Sequence, residues 1–286
     1  MRIQPYTIEE LHFAWCNRVY MRSRTHLRKP LPHLAILSTE ILTDLLKPYN
    51  IHVLDFTSDS IDFRVLLSLL PTESISAAAS KTKGRISKWL GEQVPSPIQT
   101  KSLARGYFAI TTGQSVTDAV EAYLDTQSDH HGYADRVRPP VFVRKLEHTD
   151  ETLHAIQTDH AASLLRYHIV LATWFRRGVF DENSAEAIAN DWVRIQGDHG
   201  FLVDKVSFVP DHVHIALSLH PKSSPAEVVV SLMNVAQEAM WNFFESEVIK
   251  SGVERLWQAS AYVGSFGDLS SNAVSGYMNR WSGMRD

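Results

Sequence analysis

The sequence predicts an α+β fold of two tandem units, each a ferredoxin-like arrangement with helices on one face of an antiparallel sheet. Three observations predict it: an internal repeat at an offset of about 150 residues, apolar runs of strand length, and long helical segments that follow them. IDFRVLLSLLP from Ile61 and DHVHIALSLHP from Asp211 both read as buried strands ending in Ser-Leu-X-Pro. A serine start signal and a helix follow each, over residues 74–92 and 225–249, with Pro225 suited to a first helical turn. GYFAITTG from Gly106 then parallels AYVGSFG from Ala261, and TDAVEAYLDTQ from Thr117 parallels SNAVSGYMNRW from Ser271. Upstream, LHFAWC from Leu11 is matched with YHIVLA from Tyr167 as the opening strands, with helices near residues 38–47 and 183–195. Each unit thus runs strand, helix, strand, strand, helix, strand, helix. The expected bounds are 1–135 and 164–286. Residues 136–163 form a linker whose Arg-Pro-Pro start favours extended chain.

Composition narrows the class. The chain has 286 residues, 44% hydrophobic and 21% charged, enough for two buried cores. No apolar run approaches the roughly 20 residues of a membrane span, and MRIQPYTIEE lacks an apolar leader, so a cytoplasmic protein is expected. Cys16 is the single cysteine, which excludes an internal disulfide and a cysteine-rich zinc site. A net charge of −4 is not that of a general nucleic-acid coat. Basic residues are instead clustered, as at Lys81, Lys83, Arg85 and Lys88, whereas the second copy's helix carries Glu227, Glu238, Glu245 and Glu247.

Two small constellations can carry chemistry. In His212-Val213-His214 the strand alternation turns both imidazoles to one face, a bidentate platform for a divalent metal. Tyr123 and Gln127 stand at i and i+4 of a helix and share a face, with Val116, Val120 and Leu124 as the core stripe. His130 and His131 follow shortly after.

The order PDHVHI, long helix, GYF-x-x-T-x-G and A-Y-L-x-x-Q-x-x-H-H-G-Y resembles the single-tyrosine HUH transposases. It is most similar to the REP-associated and insertion-sequence members, twice over and nearly end to end. The resemblance implies that His212, His214 and Gln127 hold Mg²⁺ or Mn²⁺. It also implies that Tyr123 attacks single-stranded, hairpin-forming DNA to give a 5′-phosphotyrosine link. The copies differ: the first has Asp62 and Arg64 where the histidines belong, and its metal platform is lost, since arginine does not ligate cations. The second keeps Tyr277 but has Trp281 in place of the glutamine. Relatives assemble sites across a dimer, which implies one composite site of Tyr123, Gln127, His212 and His214 in a monomer acting as a pseudodimer. Lys81, Lys83, Arg85 and Lys88 are then the expected DNA contacts, and Tyr277, Asp62 and Arg64 the vestigial set. A non-catalytic DNA- or RNA-hairpin-binding regulator and a metal-binding structural pseudodimer stay open as other readings.

Overall fold

The computed structural model describes residues 4–93, 102–113, 117–125, 140–252 and 255–268. In the first half, β2 (Arg18–Arg24), β3 (His52–Ser58), β4 (Asp62–Ser68) and β5 (Tyr107–Thr112) form a sheet in the order β3-β4-β2-β5. In the second, β8 (Arg166–Thr173), β9 (Phe201–Val209), β10 (His212–Leu219) and β11 (Trp257–Phe266) repeat it as β11-β8-β10-β9. Both are the strand order of a ferredoxin-like unit, and all core pairings are antiparallel. The connecting helices are α1 (Thr39–Leu46) and α2 (Ile75–Gln93) in the first half. α3 (Thr117–Asp125) follows β5.

The structure corrects the alignment of the opening strands. The counterpart of β8 is β2, not the segment from Leu11: Arg18 takes the place of Arg166 and Tyr20 that of His168. The turns after these strands agree, with positive φ at Leu27 and Arg28 (53° and 54°) and at Phe175 and Arg176 (54° and 55°). The segment after Leu11 forms β1 (His12–Cys16), which leaves its own half and pairs in parallel with β11. Its counterpart β7 (Ala161–Leu164) pairs in parallel with β5. Each half therefore donates an edge strand to the other. The segment before β7 carries β6 (Phe142–Lys145), which lies against β9, and the short helix α4 (Asp150–Ala155).

Side-chain alternation divides each sheet into two faces. Val19, Met21, Phe63, Val65 and Leu67 face α1 and α2, and Tyr167, Ile169, Leu171, Val213, Ile215 and Leu217 face the second pair of helices. Those are α5 (Glu182–Ile195) and α6 (Pro225–Phe243), with the short α7 (Glu245–Ser251) behind. Asp181 and Ser224 cap α5 and α6 with reciprocal capping boxes, and Pro225 occupies the first turn of α6. Trp192 and Trp257 are fully buried, and their indole N–H groups donate to Leu232 O and Met233 O. Among the described residues no helix is long and apolar enough to cross a membrane.

A backbone seam joins the halves, and its bonds come in matched pairs. Ser76 N donates to Pro221 O, and Ala226 N donates to Pro71 O, at 2.8 and 2.9 Å. The Ser-Leu-X-Pro strings thus end in acceptors for the other half's helix start. Ser265 Oγ bonds Thr112 O, and Thr111 Oγ1 bonds Phe266 O, each at 2.7 Å. Beside them a Cβ on Gly113 would collide with Ser265 O, and one on Gly267 with Thr111 O. Gly113→Ala is therefore expected to lower unfolding free energy in urea by about 1–3 kcal/mol. A midpoint equal to wild type would mean that the crossing tolerates a side chain.

The N-terminal segment is pinned to the second half. Tyr6 Oη donates to Trp257 O (2.9 Å) and accepts from Trp257 N (2.7 Å), while Arg255 lies 3.9 Å from the ring centroid and pairs with Glu10. Burial pushes the Tyr6 phenol up from 10.0 to about 12. A folded-state pKa above the unfolded one gives stability that is fully present below about pH 10 and lost as pH rises towards about 12. Tyr6→Phe, which strands two buried backbone groups, should cost about 1–3 kcal/mol. It should also remove most of that alkaline loss in urea titrations at pH 9 and 11.

Candidate active site

The face of the second sheet opposite its helices carries the HUH pair. His212 and His214 sit on β10, 4% and 3% exposed, with ring centroids 5.0 Å apart. Each has its Nδ1 engaged. His212 Nδ1 bonds Asp211 Oδ1 (2.7 Å), and Arg176 Nε holds the other oxygen of that carboxylate (2.9 Å). Burial tends to raise the Asp211 carboxyl, but the hydrogen bond and charge of His212, with Arg176, outweigh it and hold it below its ordinary range. The positive φ of Arg176 is part of the turn that delivers its guanidinium there.

His214 Nδ1 lies 3.0 Å from Nε2 of His168, on β8, and the two rings are nearly parallel. Burial pushes His168 down to about 4, so its ring is neutral near pH 7. His168 lies across from Gly264 of β11, where a Cβ would collide with the Tyr262 ring. The glycine leaves room for Tyr262, which meets His168 edge-on at 6.0 Å.

A helix from the other half covers this face. Val120 and Leu124 of α3 pack on Ala216 and Phe266. The next position round the helix, Tyr123, lies edge-on to His214 and His168 with centroids 5.5 and 6.0 Å away. Burial raises the Tyr123 phenol above its ordinary value. Tyr123, His212 and His214 are thus brought together from the two halves. Gln127, His130, His131, Val116, Tyr277 and Trp281 lie outside the described residues.

The corresponding face of the first sheet is chemically different. Asp62 and Arg64 stand where His212 and His214 stand opposite, 7% and 1% exposed. They pair with each other at 2.8 Å, and Asp62 also pairs with Arg22. Tyr20 replaces His168, and Ile61 replaces Asp211. Of the four expected DNA contacts on α2, Lys81 pairs with Glu73, and Lys83 donates to Arg105 O and Gly106 O over the Tyr107 ring. Burial brings Lys83 down to about 8. Lys81, Arg85 and Lys88 share one flank of the helix, and Lys83 lies on the opposite one.

Sequence reasoning missed His168, Asp211 and Arg176. Asp211 adjoins the His-X-His string, and His168 follows from strand alternation once β8 is set beside β10. Arg176 leaves no local signal, because its partner comes from a different turn.

As a metal platform the site fits in part. Two imidazoles on one face, each with Nδ1 engaged, can offer Nε2 lone pairs to a divalent cation. Among the described residues, no group of three or more His, Cys, Asp or Glu side chains could hold a metal. Other ligands would have to complete the shell, as Mg²⁺ accepts from water and phosphate oxygens.

A Deinococcus radiodurans protein described as a candidate transposase is similar over 43% of this chain and 92% of its own, with 20% identity and a TM-score of 0.35. A mutant chlorite dismutase from Candidatus Nitrospira defluvii is 12% identical, covering 77% of this chain and 82% of its own at a TM-score of 0.18. No curated protein matches the chain. The family described as "Transposase IS200 like" matches residues 11–127 and again residues 161–280. The chain belongs to the IS200-like transposase family, carries that family's unit twice, and has a transposase-type function on DNA.

Proposed function

We propose that the protein cuts and rejoins single-stranded, hairpin-forming DNA at one composite site, with Tyr123 as nucleophile and His212, His214 and Gln127 as holders of Mg²⁺ or Mn²⁺. The observation that carries this reading is the 5.5 Å approach of Tyr123, from the first half, to His214, from the second. In the cleavage step the Tyr123 oxygen forms a bond to phosphorus as the bond to the 3′-oxygen breaks. The phenol proton ends on the departing 3′-hydroxyl, and the fragment downstream of the cut stays on the protein through its 5′-phosphate. A bound divalent ion would draw charge from the phosphate oxygens. Asp211 fixes His212, burial keeps Tyr123 protonated until attack, and α3 shields the reacting face from water. Asp62, Arg64 and Tyr277 form the vestigial counterpart.

With hairpin oligonucleotides and Mn²⁺, a covalent adduct on denaturing gels should vanish in Tyr123→Phe and persist in Tyr277→Phe. Gln127→Ala should lower its rate by tenfold or more. Loss in Tyr277→Phe alone would overturn the crossed assembly, and no adduct in wild type would favour the hairpin-binding regulator.

His168 acts here as a positioning residue, accepting from His214 Nδ1 and so turning the Nε2 lone pair towards the metal. His168→Leu should weaken Mn²⁺ binding, read by electron paramagnetic resonance, by about 10–100-fold. His168→Gln, which keeps an acceptor, should recover much of it. Equal Mn²⁺ affinity in wild type and His168→Leu would rule out the role.

A further inference from the structure

Among the described residues, a cavity of about 930 Å³ lies at the first-half counterpart of the metal site, walled by Arg22, Arg24, Arg28, Asp62, Phe108 and Asp159 among others. The geometry points to this cavity as a second binding site for single-stranded DNA, one that grips backbone phosphate and cannot cut. The inference rests on single-stranded DNA being what the crossed site handles.

Three differences between the halves carry it. First, the turn that sends Arg176 onto Asp211 recurs with the same left-handed backbone at Leu27 and Arg28, but Ile61 stands in place of the carboxylate. The Arg28 side chain consequently has no hydrogen bond or ion pair among the described residues, and neither does that of Arg24. Second, Arg22 and Arg24 replace Val170 and Ala172 on the reactive face, so the same strand positions change from apolar to cationic. Third, Arg64 lies beneath Asp62, and Asp62 is paired to both Arg64 and Arg22. The one other acid among the described residues of the cavity wall is Asp159, which leaves the balance positive. Guanidinium groups thus gather around the position where the second half presents a metal platform.

A guanidinium binds phosphate oxygens through two parallel N–H groups but supplies no Lewis acid and no bound water. Phe108, 40% exposed on the same wall, offers a face for an unpaired base. The site therefore suits a strand held by charge and stacking while the other site reacts.

The test uses the full chain and a fluorescent hairpin oligonucleotide with a single-stranded extension. Anisotropy is read in EDTA, so that only metal-independent binding is seen. Arg24→Gln/Arg28→Gln should weaken binding by tenfold or more and reduce the slope of log affinity against log salt by about 1.4, at about 0.7 per single-strand phosphate contact. Its Tyr123 adduct yield at saturating DNA should match wild type. Unchanged affinity and slope would overturn the inference. Should that variant misfold by circular dichroism, Asp159→Asn serves instead and is expected to tighten binding by about threefold. Binding with Asp159→Asn that is equal or weaker overturns it. A wild type that forms no adduct, yet loses affinity in the arginine variant, would fail the crossed-site reading and leave the phosphate site standing.

Discussion

The close approach of β5 and β11 at Gly113 and Gly267 is the constraint on which the rest of the molecule depends. Thr111 and Ser265 each bond across it to the other half's backbone, and a Cβ at either glycine would force the strands apart. Because β5 ends at this crossing, the chain leaves its own sheet there and α3 settles on the partner sheet. Widening the crossing would lift Leu124 off Ala216 and Phe266, and Tyr123 would move with it. The position of the candidate nucleophile is thus a backbone-packing problem before it is a side-chain one.

The two faces that this crossing relates solve opposite electrostatic problems. In the second half, the buried imidazoles of His212 and His214 are oriented by hydrogen bonds to Asp211 and His168, which satisfy their buried Nδ1 atoms. In the first half a nearly fully buried guanidinium needs a counterion, and Asp62 provides it. An arginine at the position equivalent to His214 therefore needs the carboxylate two residues earlier.

Much of this was legible in residues. Ser-Leu-X-Pro repeated because both prolines serve the same seam, and His212 and His214 shared a face because strands alternate. The opening strands were not legible. LHFAWC alternates as plausibly as RVYMRSR, and only parallel pairing to a strand about 250 residues away decides between them. Strands as short as β6 and β7, of four residues each, fall below any periodicity window. The α2 cations looked like one cluster in sequence, yet helical geometry divides them between flanks, and two of them are spent on Glu73 and on backbone carbonyls.

The exchanged edge strands also impose an order on synthesis. β7 follows β5 closely in the chain, so the first sheet can close while translation continues. β1 is made almost first, yet its partner β11 is the last strand described, and the second sheet's edge cannot close until nearly the whole chain has emerged. A nascent chain must keep that early strand out of wrong pairings for most of its passage from the ribosome. Its half-exposed pattern, with Trp15 47% accessible even when paired, makes the wait a hazard for edge-to-edge association.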